Sequence, residues 1–133
     1  MRFMMMAKFE REGSITPTPE LMAAIGNFTQ ELSKSGVLVD TGGLQPTSRG
    51  AQLKLAQAKV TVTDGPFTEA KEIIGGYAIV ELDSKEEAID LGKRFLQIHS
   101  DILGPQCEML SEIRQMYGPS EIPCAHQEEG RKE

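Results

Sequence analysis

The first residues of the chain are apolar on both sides of an extended backbone. Between Arg2 and Phe9, the side chains of Phe3, Met5, Ala7 and Phe9 fall on one face and those of Met4 and Met6 on the other, which predicts a strand. A sheet with water on one side would alternate apolar with polar, so each face of this strand needs a cover. Helices of the same chain are expected to supply one cover and a second subunit the other.

The period then changes from two to 3.6. After a loop rich in Gly, Ser, Thr and Pro (Gly13 to Thr18), Thr18 reads as an N-cap, Pro19 as the first helical residue and Glu20 as an acid near the positive end of the dipole. Leu21, Ile25, Phe28 and Leu32 form one apolar stripe up to about Ser35, and Gly36 supplies the stop. Val37 to Val39 open a second strand, which passes Asp40 and Thr41 to reach Gly42-Gly43-Leu44, and residues 45–50 make a polar loop. Residues 51–55 and 59–63 read as a hairpin, with Val60 and Val62 alternating against Thr61 and Thr63, and it delivers Asp64 to a strand end. From Gly75 to Leu82 a further strand places Tyr77 and Ile79 on one face and Ala78, Val80 and Leu82 on the other. Ser84 with Glu87 is a capping box for a second helix, whose stripe is Ala88, Leu91, Phe95 and Ile98 and whose end lies near His99 to Asp101. Gly104-Pro105 breaks the chain before a last strand, Cys107 to Tyr117. There Met109 and Ile113 face one way and Glu108, Leu110, Glu112 and Arg114 the other.

Two β-α-β units interleaved in one antiparallel sheet make an α+β fold of the ferredoxin-like kind, here with an extra β-hairpin between the halves. Residues 1–118 form one domain on this reading, and 119–133 a polar, mostly charged tail expected to be mobile. The two helices cover one sheet face, and the apolar residues left on the other predict a homodimer with sheets packed face to face.

Composition narrows the function without naming it. A length of 133 residues, 39% hydrophobic and 26% charged, describes one ordinary globular domain. The opening apolar run is too short for a signal-peptide core or a membrane span, so a cytoplasmic protein is expected. Two cysteines, Cys107 and Cys124, are too few for a disulfide framework and lack zinc-finger spacing. A net charge of −6 with no cluster of Lys and Arg argues against nucleic acid. No Walker sequence, G-x-G-x-x-G or H-E-x-x-H is present, so neither an organic cofactor nor a metal is expected. Cys124-Ala125-His126 offers two ligands without a matching pair, and the seven methionines are more simply gap-filling core than a copper site.

The residue usage is densest between Asp64 and Tyr77. Asp64 stands before Gly65-Pro66, where a carboxylate commonly fixes a turn; its functional reading is a general base at the mouth of a cleft between two sheets. His99, at the margin of the second helix's stripe, reads either as a capping or packing residue or as the acid/base partner of Asp64. Arg114 would anchor an anionic group if its strand face lies between the sheets, and otherwise pairs with Glu112. Lys71 could hold Asp64 ionised, although the run Glu69, Lys71, Glu72 is by default solvated. Tyr77 packs by default, with a hydroxyl that needs a partner; with Lys71 and Arg114 it completes the substrate-binding candidates.

Asp64-Gly65-Pro66-Phe67, followed by Glu69, Lys71-Glu72, Gly75-Gly76-Tyr77, Ile79 and Glu81, resembles the DGPF-type branch of the YCII-related family. Gly43-Leu44-Gln45-Pro46 and Glu112-Ile113-Arg114 extend the resemblance over residues 2–117. It implies a dimeric α+β barrel of ferredoxin-like subunits from bacteria. Some YCII-like relatives act on small, often aromatic or chlorinated compounds with a His and Asp pair, and most members have no established reaction. The family's Asp maps to Asp64; its His belongs to the first helix, where Glu20-Leu21-Met22-Ala23-Ala24-Ile25 holds none. Members of the branch are often encoded beside sigma factors. Two functions follow as expectations: cofactor-independent acid/base chemistry on a small organic molecule, or a noncatalytic regulatory module that binds a small effector or a protein partner.

Overall fold

The computed structural model describes residues 1–66 and 72–121. Its elements are β1 (Arg2–Phe9), α1 (Pro19–Lys34), β2 (Leu38–Gly43), β3 (Ala51–Ala56), β4 (Lys59–Asp64), β5 (Ile73–Glu81), α2 (Lys85–Leu103) and β6 (Leu110–Gln115). Four strands form one antiparallel sheet in the order β2-β5-β1-β6, and β3 and β4 pair separately as a hairpin. Setting the hairpin aside, this is the ferredoxin-like α+β arrangement, with the hairpin inserted between its second and third strands.

Both helices begin where their caps put them. Thr18 Oγ1 accepts from the Leu21 amide at 3.1 Å, and Ser84 Oγ from that of Glu87 at 3.2 Å. The return bond from Glu87 lands on the Asp83 amide, one residue before the cap. Gly104 ends α2 at φ 96°, in the left-handed region, and its amide donates to the Ser100 carbonyl. This α2 terminus lies at Leu103, beyond the His99–Asp101 end expected from the pattern, because Ile102 and Leu103 continue the turn as far as that glycine. The last strand is shorter than expected, from Leu110 to Gln115, since residues 107–109 lack a ladder partner.

Register decides what faces the helices. Phe3 stands opposite Val80 across β1 and β5, and Val80 opposite Leu38 of β2. Phe3 and Val80 are buried with Phe28 and Leu32 of α1 and Ala88 and Leu91 of α2, with Met5 and Ile113 packed against them. Each of these side chains larger than Ala88 contributes roughly 1.5 to 3 kcal/mol relative to exposure. Gly92 lets α2 sit close to the sheet: a Cβ there would lie 3.2 Å from Ile113 Cδ1. The opposite face carries Met4, Met6, Tyr77 and Ile79, half-buried, with Lys8, Glu112 and Arg114 at its β6 side.

One residue interrupts the β1–β5 ladder. Ala7 faces Gly76 but Lys8 faces Ile74, so Gly75 bulges out. The Phe9 ring explains why it is glycine, because a Cβ on Gly75 would lie 2.4 Å from Phe9 Cε2. Replacing Gly75 with Ala should therefore cost about 1 to 3 kcal/mol as an overpacking change. Gly26 is the opposite case, an exposed helical glycine with open space around it, and Gly26→Ala should stabilise by about 0.5 to 1 kcal/mol. Urea titrations should rank Gly26→Ala above the parent protein and Gly75→Ala below it; the reverse order would contradict this account of the bulge.

Candidate functional site

Between α1 and the sheet lies a cavity of about 660 Å³. Its origin is a size gradient along one face of the sheet. The row Phe3, Val80, Leu38 is large and fills the space under the helices, whereas four residues further along β1 the row is Ala7, Gly76, Gly43. Side chains this small leave the inner faces of Leu21 and Ile25 on α1 without sheet partners, and the gap between them is the cavity. Phe28 and Phe95 close its inner end. Its mouth is formed by Arg11 to Ile15 and Pro17 before α1 and by Leu44, Gln45 and Pro46 after β2. Met22 and Leu44 line it and are also exposed to solvent. Most of the lining is apolar, as a site for a small organic molecule requires.

The polar exception is His99. At 4% exposure it is the buried polar residue of the described chain, and it lines the cavity. Its Nδ1 lies 2.9 Å from the Phe95 carbonyl, one helical turn back. A carbonyl only accepts, so Nδ1 carries the hydrogen, and the neutral ring then presents Nε2 as an acceptor. Among the described residues Nε2 has no hydrogen-bond partner and no buried side-chain nitrogen or oxygen lacks one, so Nε2 is open, on the cavity that His99 lines. The ring is steadied edge-on by Phe95 at 4.6 Å between centroids. The i−4 bond and the ring contact together hold the free nitrogen toward the apolar space.

The other candidates are placed elsewhere or at the margin. Tyr77 borders the cavity region along β5, but its side chain is on the uncovered face, the ring lying over Gly42 where a Cβ would stand 3.0 Å from it, and its hydroxyl is 3.4 Å from Asp40 Oδ2. Asp64 ends β4 on the hairpin, is exposed, and makes no hydrogen bond or ion pair among the described residues; it is not part of the cavity lining. Within one subunit, then, the structure brings His99 to the cavity and leaves the Tyr77 ring, on the uncovered sheet face, and Asp64 outside it. Arg114 lies on the uncovered sheet face, exposed, with Nη1 3.4 Å from Glu112. Lys71 lies outside the described residues, as do Cys124 and His126. The small-residue row escaped the sequence reading, although Gly42-Gly43 and Gly75-Gly76 were its visible trace. Among the described residues no cluster of His, Cys, Asp or Glu is arranged for a metal ion, and no helix is long and apolar enough to cross a membrane.

Two comparisons bear on identity. The model of the YCII-related domain matches residues 1–98. An uncharacterised protein of Rhizobium meliloti (strain 1021) is 28% identical over 103 residues, which are 77% of this chain and 80% of that protein.

On the uncovered sheet face, Lys8 Nζ is 2.6 Å from Glu112 and 3.5 Å from Glu72. The hydrogen bond from Lys8, then that from Arg114, holds the Glu112 carboxyl below its ordinary value of 4.5. A carboxylate depressed on folding stabilises above its unfolded pKa and loses that contribution as pH falls through the folded one. Lys8 is raised above 10.5, chiefly by the same bond, so its contribution is lost only as pH rises past that value. The melting temperature of Glu112→Gln should accordingly fall below the parent's near neutrality, and the gap should narrow as pH drops below 4.5. A gap independent of pH would remove the ion pair from the explanation.

Proposed function

The chain belongs to the YCII-related family, and on that premise we propose that it binds a small, largely apolar organic molecule in the helix–sheet cavity and acts on it by cofactor-independent acid/base chemistry. The observation that carries the reading is the geometry of His99: a buried imidazole with one nitrogen tied to a backbone carbonyl and the other turned into an apolar space. Such a nitrogen can accept a hydrogen bond or a proton from a phenol, an enol or an activated C–H. The mostly apolar lining offers few other polar partners to a group bound there. The setting is the cytoplasm, where reduced Cys107 is the expected state.

A second reading of a different class has its own support. The one acid of the described lining, Glu12, is engaged by Thr47, whose amide lies 2.5 Å from one of its oxygens. A site with an acceptor and no second acid/base group suits a noncatalytic, effector-binding module, of the kind a sigma-factor-linked system would use. Both readings predict that a 4-alkylphenol binds about 2- to 10-fold more tightly than its methyl ether, since one hydrogen bond to Nε2 is at stake. His99→Phe should abolish that preference, and His99→Gln should retain part of it. Equal binding of phenol and ether to the parent protein would defeat both. Exchange of an activated ketone's α-hydrogen in D₂O, followed by NMR, then separates them: catalysis predicts a rate about 10²- to 10⁴-fold above that of His99→Phe, and no exchange selects the effector-binding module.

The proposal includes a homodimer. Leu53, Leu55, Val60 and Val62 share one face of the hairpin and are 60% to 73% exposed. Every residue of β3 and β4 is exposed, and an uncovered two-stranded hairpin is marginal by itself. Its charged residues beyond Asp64 are Lys54 and Lys59, so the arm is cationic on a chain of net charge −6, which favours docking on a second copy. Asp64 lies on the same hairpin face, and an arm closing over the partner would give it its route to the chemistry. Light scattering should give a mass near twice 14.6 kDa, and Leu53→Ser with Val62→Ser should shift it toward the monomer. A parent protein of monomer mass would overturn the dimer.

A further inference from the structure

We infer that Arg11 is the anion anchor of the cavity and that the ligand is an amphipathic monocarboxylate, its apolar body between α1 and the sheet and its carboxylate at the mouth. The inference rests on the proposal that the cavity binds a small molecule and adds the chemistry of the ligand's outer end.

The described arginines differ in one respect. Arg2 holds Glu81, Arg94 holds Glu31, Arg114 holds Glu112 and Arg49 donates to Gln45. Arg11 makes no hydrogen bond or ion pair among the described residues, and it lies on the cavity mouth as the one Lys or Arg of the described lining. Its sequence neighbour Glu12 does not neutralise it by contact. The Glu12 carboxylate accepts from the Thr47 amide, and that backbone bond holds it below its ordinary value of 4.5. Arg11 also borders a smaller, polar hollow with Glu10, Glu72 and Glu108, yet Glu72 pairs with Lys8 and none of the three pairs with Arg11. A guanidinium with five donors and no acceptor among the described residues is complementary to a carboxylate, which it can take bidentately.

The position fixes the class of ligand. Deep in the cavity a carboxylate would lose its water to an apolar lining, a cost too large to meet without a partner. At the mouth it keeps part of its hydration and meets Arg11, while the alkyl or aryl body is buried against Leu21 and Ile25. Glu12, adjacent in sequence and ionised, disfavours a second negative charge, so a monoanion fits where a phosphate monoester does not.

Calorimetric titrations of the full chain with decanoate, decanol and decyl phosphate test this. The readout is the decanoate-to-decanol affinity ratio, because without an anchor the alcohol, being more apolar, is the stronger ligand. Arg11→Gln should lower that ratio about fivefold, with Arg11→Lys intermediate and decanol binding unchanged. The loss should shrink as salt is raised, as expected of an exposed pair. A ratio unaltered by Arg11→Gln overturns the anchor while leaving the phenol preference at His99 intact. Tighter binding of decyl phosphate than of decanoate overturns the monoanion class, and failure of all three probes to bind defeats this inference together with the cavity reading beneath it.

Discussion

The register of β1 against β5 is the constraint on which the remainder depends. With Phe3 opposite Val80, every second residue of both strands is committed to the helices, and a slip by one residue would turn the whole set outward. The same register places Ala7 against Gly76 and, through β5, Gly76 against Gly43. Large side chains at one end of the face and almost none at the other mean that one end closes as core while the other stays open. The cavity is thus a consequence of the same pairing that stabilises the fold.

The stretch from Asp64 to Tyr77 takes on a different meaning in that light. Gly65 is required by packing, since a Cβ there would overlap the Thr47 carbonyl oxygen, and its amide donates to Gly50 at 2.9 Å. Gly75 accommodates the Phe9 ring, and Gly76 approaches the Gly42 carbonyl, which a Cβ would meet at 3.1 Å. These glycines join the root of the hairpin, the bulge and the floor of the cavity into one packed unit. Thr47, against which Gly65 lies, also donates its amide to Glu12 on the cavity mouth. The arm and the mouth therefore share a common anchor.

Local signals in the sequence located the elements well. Thr18, Pro19, Ser84 and the two apolar stripes place α1 and α2, and the alternation in β3 and β4 gives the hairpin even though its turn uses Gln57 and Ala58 at positive φ in place of the usual glycine. The site was less legible because its parts are set by long-range pairing. His99 reads as a helix-end residue until the Phe95 carbonyl and the opposing sheet are both in place. The cavity is marked by missing side chains at Ala7, Gly43 and Gly76, which are far apart in sequence and adjacent only across strands. Asp64 drew notice through its unusual neighbours, and those neighbours serve the backbone. Arg11 carries no motif at all; it becomes distinctive only when the partners of the other arginines are known.

The polarity of the cavity has a direction that limits its chemistry. At the inner end His99 offers an acceptor, because its donor is already committed to Phe95. At the mouth Arg11 offers donors and positive charge, with the carboxylate of Glu12 engaged by backbone. A ligand that satisfies both ends must carry a hydrogen-bond donor or acidic proton at one pole and an acceptor anion at the other, with little polarity between. Reversed, such a molecule would set its carboxylate against the lone pair of Nε2 and its donor against a guanidinium, leaving both poles unpaired in a space that holds few alternatives. On the proposed reading, orientation would thereby be selected before any reaction. If proton transfer follows, it takes place at the pole farther from the permanent charge, where His99 can accept the proton without Arg11 having to give up its anion.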